Sequence, residues 1–284
     1  MKYDKIKKTL VDFSFILPAL VFFLYVIIIP LISGIQFTFT DWDGMSAVKH
    51  FVGLKNYRTV FHDTDLIQPI LNTLLFTVVT VIVINIAGLA LAMAVSKEFR
   101  GINVMKSIIF MPLVVSLVLV SEMWMYVYSD FFSLLGIPSP LIDRKTAMLG
   151  LAYMSIWRET GLAMIIYLAA LKGVPSYMYE AAVIDGAGFW QRFKNVTVPF
   201  IAPAFTYCIP LWLAAGLRQY DYTYIATSGG PGHASESMAY YIYNYLFPYD
   251  KVGYGQTVAV LYLAVCIGIS NIVTRMLRKR EIEL

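Results

Sequence analysis

Five ionisable side chains, Glu122, Arg158, Glu159, Arg218 and Asp221, stand inside or at the ends of long apolar stretches of this 284-residue chain. A charge at the centre of a lipid bilayer costs roughly 2.5–3.5 kcal/mol on insertion scales, so such residues face protein interior or a water-filled path. Aromatic residues crowd the same positions. Trp124 and Tyr126 follow Glu122, Trp157 precedes Arg158, and Trp212, Tyr220, Tyr222 and Tyr224 accompany Arg218 and Asp221. Aromatic faces with a few charged groups suit a ligand that offers C–H faces and many hydroxyls, as a sugar does. The same aromatics also serve as anchors at membrane interfaces. A set containing both signs argues against a highly charged ligand. Glu122, Trp124, Arg158, Glu159, Arg218, Tyr220 and Asp221 are the candidate lining of a path through a membrane. Arg218 and Asp221, three residues apart, are expected to share one helix face and partly neutralise each other. Arg158 and Glu159 are adjacent, so they are expected to point apart, each needing a partner elsewhere. Glu122 sits near the end of its stretch, within reach of water.

Catalytic and nucleotide-binding patterns are absent. There is no Gly-x-x-x-x-Gly-Lys-Ser/Thr run to cradle phosphates, and no His-Glu-x-x-His or Cys-x-x-Cys ligand spacing. His50, His62 and His233 are scattered and read most simply as solvated loop residues. Cys208 and Cys266 both fall in apolar stretches, where they read as packing residues rather than a disulfide framework.

The elements that must position these side chains are long and apolar. The chain is 59% hydrophobic and 14% charged, against about 25% charged for a soluble domain. Six stretches, 13–39, 66–95, 104–128, 147–171, 200–226 and 254–277, each reach the ~20 residues that span a bilayer. The fifth carries Arg218 and Asp221, which makes it the least certain span. No linker, repeat or low-complexity run divides the chain, so residues 1–284 read as one transmembrane domain. The apolar run after Lys5, Lys7 and Lys8 is too long for a cleaved leader and lacks a small-residue cleavage site. With both termini cytoplasmic, the inner segments hold Lys2, Lys5, Lys7, Lys8, Lys97, Arg100, Lys106, Lys172, Arg192, Lys194, Arg275, Arg278, Lys279 and Arg280. The outer segments hold only Lys49, Lys55, Arg58, Arg144, Lys145 and Lys251. Positive residues resist translocation, so this split places the termini inside. It also accounts for the net charge of +4 without a nucleic-acid partner.

One polar interval interrupts the pattern, at about residues 173–199. Ser176 is placed to cap a short helix over Tyr177–Ile184, Asp185-Gly186 to break it, and Pro199 to open the next apolar stretch after a second short helix over Phe189–Asn195. Two short helices around a small-residue turn make either an ordinary connection or a projection that fits a groove on another protein. Glu180-Ala181-Ala182, Gly186, Val196 and Val198-Pro199 follow a Glu-Ala-Ala, three-residue, Gly, nine-residue, aliphatic-x-aliphatic-Pro spacing. Asp185, Ala187, Phe193 and Pro203 fit the same pattern. This interval resembles the cytoplasmic signature loop of ABC-importer permeases, with Val196 and Val198 where that family more often has Ile and Leu. Phe51-Val52-Gly53-Leu54-Lys55-Asn56-Tyr57 and Thr227-Ser228-Gly229-Gly230-Pro231-Gly232 extend the resemblance, within its carbohydrate-importing branch, over essentially the whole chain.

The resemblance implies an all-α membrane protein of the type I importer permease fold, with about six transmembrane helices and a cytoplasmic coupling-helix loop. It implies a non-enzymatic subunit in the bacterial cytoplasmic membrane with no cofactor of its own, ATP and Mg being held by partner ATPases. The implied partners are a second permease chain of different sequence, two ATPase subunits, an extracytoplasmic solute-binding protein and membrane lipid. Glu180, Ala181, Ala182, Asp185, Gly186, Ala187, Phe193 and Pro199 would form the ATPase-coupling surface. The loops at 40–65, 130–145 and 228–253 would receive the binding protein, or merely connect helices. The implied substrate is a carbohydrate, best an oligosaccharide, with glycerol phosphate or a polyol behind it. Outside the resemblance, an ion-coupled secondary transporter would use the buried charges and is marked by discontinuous helices at matching positions of two halves, a symmetry the sequence does not display. An intramembrane enzyme would need a clustered nucleophile or metal set.

Overall fold

A computed structural model of the chain describes residues 2–97 and 100–279, with side chains from Phe13 onward. Arg280, counted above among the inner charges, lies outside the described residues, as do the side chains of Lys2, Lys5, Lys7 and Lys8. The described residues form helices joined by turns and loops, and their strand-like pairing is confined to a bridge between Thr40 and Phe51. In chain order the helices are α1 (Phe13–Phe37), α2 (Lys55–His62), α3 (Ile67–Ala94), α4 (Ile102–Val114), α5 (Leu117–Leu134) and α6 (Ala147–Lys172). They continue as α7 (Ser176–Ile184), α8 (Phe189–Phe200), α9 (Ala202–Leu217), α10 (Asp221–Ala226), α11 (Met238–Leu246) and α12 (Val252–Arg278).

Four of these, α1, the α3 segment, α6 and α12, are single apolar helices long enough to cross a bilayer. The other two expected spans are bent. α4 meets α5 at 98° and α8 meets α9 at 71°, giving six if each bent pair is one span. The first bend has a local cause. Pro112 lies inside α4, Val115 turns extended (ψ 137°), and Ser116 caps α5 by accepting from the Leu119 N–H at 3.4 Å. At the second, Ile201 leaves helical geometry and Pro203 occupies the first turn of α9, where its missing N–H costs nothing. The fifth expected stretch breaks again at Arg218–Tyr220, before α10. The sequence reading foresaw neither bend, because each stretch keeps its hydrophobicity across the break.

Contacts group the chain into two compact units: the residues up to Asp63 with Ile242–Tyr262, and Thr64–Tyr241 with the residues from Leu263 on. In the first, the Asn56 amide donates to the carbonyls of Thr38 and Thr40, both at 2.8 Å, and Tyr254 donates to Asp63. In the exposed turn that follows α1, Asp43 accepts from the Ser46 hydroxyl and from the Ser46 and Met45 N–H groups. These bonds hold its carboxyl at about 2, so the turn keeps its ionised acceptor until pH falls toward that value. No residue of α1 from Phe13 to Ser33 is buried, and Phe15 is 81% accessible. In a membrane such a face meets lipid or another apolar helix.

The second unit is organised by α3 against α6, with α9 packed on α3 and also touching α6. The helices meet where side chains are smallest. A Cβ on Gly88 would collide with Ala163, and one on Gly216 would lie 2.8 Å from Thr77 Oγ1. Small residues let helix backbones approach in lipid, where packing rather than water exclusion holds helices together. One turn along, Tyr167 donates to Asn85 Oδ1 at 2.5 Å in a fully buried position. Cys208 packs in the same core and forms no disulfide with Cys266. His233 is exposed, as a solvated loop residue should be, with its side chain 70% accessible, and its Nδ1 pairs with the buried Glu236 carboxylate at 2.6 Å.

Gly88→Ala should lower the apparent melting temperature of the detergent-solubilised protein. Alanine favours a helix, so any loss must come from overpacking against Ala163, worth about 1–3 kcal/mol. Gly268→Ala, where an added Cβ meets nothing, should leave it unchanged or raise it.

Candidate functional site

The polar interval forms a helical projection with a defined turn. Pro175 takes an extended conformation (φ −62°, ψ 133°) and stands as the cap of α7, so Ser176 is the first helical residue and makes no side-chain cap. This corrects the expected capping role: the proline ring fixes φ one residue earlier than the serine cap required. At the far end Gly186 takes φ +77°. Its N–H bonds the Val183 carbonyl at 3.0 Å, and the Ala187 N–H bonds the Ala182 carbonyl at 2.9 Å. This pair of bonds satisfies the last carbonyls of α7, and glycine reaches the left-handed conformation without penalty. A Cβ on Gly186 would meet nothing, so the demand for glycine is conformational rather than steric.

The second arm begins where Gln191 Oε1 accepts from the Gly188 N–H at 2.8 Å. The helix runs on through Phe200, with Pro199 inside it, so Pro199 does not open the next apolar segment; Ile201 and Pro203 do. The missing Pro199 N–H is tolerated near the start of the helical turn that follows a π-type widening at Phe193–Thr197. At the root of the projection Tyr179 and Thr197 share a hydroxyl hydrogen bond of 3.1 Å. Tyr179, Phe193, Val196 and Phe200 pack on the core that contains Ala92, Val95, Val174 and Ile201. The tip is open: Glu180, Ala181, Asp185 and Gly186 are exposed, with Ile184 86% and Trp190 75% accessible. Ala182, Ala187 and Phe193 are half-buried.

A cavity of about 400 Å³ lies among the bundle helices of the same unit. α3 contributes Phe76 and Thr80, α5 Leu117, α6 Ser155 and Glu159, and α9 Trp212. The break after α9 adds Arg218, Gln219 and Tyr220, and α10 adds Asp221 and Tyr222. Of the seven candidate path residues, Glu159, Arg218, Tyr220 and Asp221 come together here. Glu122 is exposed on α5, and Trp124 is engaged by Tyr128, Tyr153 and Trp157, the last two edge-on at 5.0 and 5.7 Å. Arg158 stands behind the wall. Thr80, Ser155 and Gln219 were missed. Thr73, Thr77 and Thr80 recur at helical spacing and were a legible polar stripe on α3, whereas nothing local marked Ser155 or Gln219.

Two expectations about charge are corrected. Arg158 and Glu159 do not point apart; they pair with each other, each side chain about 20% accessible. The arginine is long enough to fold over its neighbour, and its Nη2 also donates at 3.2 Å to Leu113, a carbonyl left over at the end of α4. Arg218 and Asp221 do not share a helix face, and no ion pair joins them. The helix ends at Leu217, where Arg218 Nε donates back to the Ala214 carbonyl at 3.1 Å, while Asp221 opens the first turn of α10. Each charge thus sits at the helix end whose dipole favours it. With Glu159 neutralised by Arg158, the cavity offers one charge of each sign beside Trp212, Tyr220 and Tyr222.

The sequence profile of the family described as "Binding-protein-dependent transport system inner membrane component" matches residues 84–282. The "Probable starch degradation products transport system permease protein AmyD" of Thermoanaerobacterium thermosulfurigenes is 32% identical over 277 residues, 95% of this chain and 94% of that protein. The "Trehalose/maltose transport system permease protein MalF" of Thermococcus litoralis is 28% identical over 99% of this chain and 97% of its own length. The fold is shared with a chain of the bacterial alginate ABC transporter solved in complex with alginate pentasaccharide-bound periplasmic protein. Its TM-score is 0.83 at 21% identity, covering 98% of this chain and 97% of that one.

Arg158→Met and Glu159→Gln should be strongly non-additive in thermal stability, with a coupling energy of about 0.5–3 kcal/mol. Removing the arginine alone strands both a carboxylate and the Leu113 carbonyl, so it should be the worse single change. Additive melting shifts in the four-member cycle would show that the pair contributes nothing.

Proposed function

This chain belongs to the family of binding-protein-dependent transport system inner membrane components, and we propose that it is the carbohydrate-conducting permease subunit of an ATP-driven importer. The observation that carries this reading is the α7–α8 projection. Its tip exposes Glu180, Ile184 and Trp190, while its root is packed into the core beside α3 and α6. Push applied at such a tip is delivered to helices that line the cavity, because close-packed interiors transmit displacement rather than absorb it. The excess of Lys and Arg on one set of connections supports a cytoplasmic-membrane orientation with both termini and this projection inside. An ATPase subunit would hold ATP and Mg and grip the projection. Glu180 would meet a basic residue there, Ala181 and Ala182 would allow close approach, and Asp185, Gly186 and Ala187 would form the turn. Two ATPases and a second, non-identical permease chain complete the assembly. Solute would arrive on an extracytoplasmic binding protein that docks on the opposite face, at 40–65, 130–145 and 228–253.

The two named relatives are named for starch products and for trehalose or maltose, which supports a carbohydrate. The cavity's chemistry agrees with a neutral oligosaccharide: aromatic faces, amide and hydroxyl groups, and balanced charge. Glu159, Arg218, Tyr220 and Asp221 would line the path directly, Arg158 would hold Glu159, and Trp124 and Glu122 would stand farther along α5.

In the reconstituted complex, Gly186→Val and Glu180→Lys should abolish uptake and weaken ATPase association while the chain still inserts. A β-branched residue at φ +77° is strained by on the order of 1–2 kcal/mol and would open the turn. A Gly186→Val complex with normal solute-stimulated ATPase activity would refute the coupling role.

A further inference from the structure

The connection from α10 to α11, residues 227–237, is fastened by polar side chains, of which Asn72, Thr73 and Thr223 are buried and Arg144 is exposed. On α3, Asn72 donates from Nδ2 to the carbonyls of His233 and Glu236, both at 3.0 Å, and accepts from Gln68 at 2.9 Å. Thr73 Oγ1 accepts from the Met238 N–H at 2.8 Å, and Arg144 donates to the Gly232 carbonyl at 3.0 Å. On α10, fully buried Thr223 lies 2.9 Å from the Ser235 carbonyl. The same hydroxyl lies 3.1 Å from Gln219 Nε2 and 3.2 Å from Gln219 Oε1. Gln219 is 6% exposed and forms part of the cavity wall.

A threonine hydroxyl carries one proton. With the connection seated, the shorter bond commits that proton to Ser235, and Thr223 must accept from the Gln219 NH2. If Ser235 withdraws, the proton has one remaining acceptor in reach, Gln219 Oε1. Donor and acceptor then exchange roles, and the Gln219 NH2 is freed from Thr223. We propose that Thr223 is a positioning residue that reports the seating of the 227–237 connection to Gln219, and that Gln219 is a specificity-determining residue of the cavity. The cavity would present different hydrogen-bonding faces to a sugar hydroxyl when this connection is seated and when it is lifted. The assignment rests on the importer reading only in supposing that the bound partner is what lifts the connection.

In proteoliposomes carrying the assembled importer, Thr223→Val should lower maximal maltotriose uptake about 3- to 10-fold, the worth of one buried hydrogen bond. The binding-protein concentration for half-maximal uptake should not rise, because a bond that seats the connection is lost, and Thr223→Ser should restore the rate. Wild-type uptake by the valine variant, or a change confined to the binding-protein concentration, overturns the proposal. A sugar-independent measurement uses the reciprocity of coupling. Gln219→Leu in the same complex should speed amide hydrogen exchange across 227–237, and unchanged exchange overturns the proposal even if the valine variant fails to assemble. A wild-type complex that takes up no sugar refutes the carbohydrate reading and leaves the exchange measurement to decide this one.

Discussion

The seating of α3 on α6 at Gly88 and Ala163 is the contact on which the rest of the second unit depends. Neither helix has a large side chain there, so their backbones come close enough for Tyr167 to reach Asn85 across the gap. Inside a membrane, helices gain little from leaving lipid for one another, and fit has to supply what hydrophobic burial supplies in water. The same two helices then serve both ends of the unit. Ala92, Val95 and Leu168 belong to the core that receives the root of the α7–α8 projection, while Thr80, Ser155 and Glu159 face the cavity. A single rigid pair therefore joins the place where force would enter to the place where solute would pass.

Charge is managed by helix ends rather than by long-range pairs. Arg158 satisfies Leu113 at the end of α4 as well as Glu159 beside it, Arg218 turns back onto the last turn of α9, and Asp221 starts α10. Each helix break exposes carbonyls or N–H groups that need partners in a medium without water; Arg218 and Asp221 stand at such a break, and Arg158 reaches one from the middle of α6. A broken span and a buried charge thus solve one problem together, and the cavity is where the break after α9 leaves room.

The apolar stretches were legible in the sequence because hydrophobicity over about twenty residues is a local property. So was the turn at Gly186: Asp185-Gly186 reads as a helix break, and the structure ends α7 there with Gly186 in a left-handed conformation. The bends at Val115 and Ile201 were not legible, although Pro112 and Pro203 marked their neighbourhoods, because a proline in an apolar run can kink a span, start one or pass unnoticed. The expected Arg218–Asp221 pair failed for the same reason. Its i, i+3 geometry assumed an unbroken helix, and the helix stops at Leu217.

Gln219 and Thr223 show how far sequence reading extends. Nothing in their types distinguishes them from other polar residues near a helix end, and their partner Ser235 lies twelve positions on in a glycine-rich connection. By itself the sequence determined the number of apolar segments, their family pattern and the sign of the charge on each connection, since all three are fixed by residue type and spacing. Only the tertiary structure decided which charges meet, where spans break and which side chains share the cavity. Those depend on helix ends and close approaches that arise only when separate segments pack together.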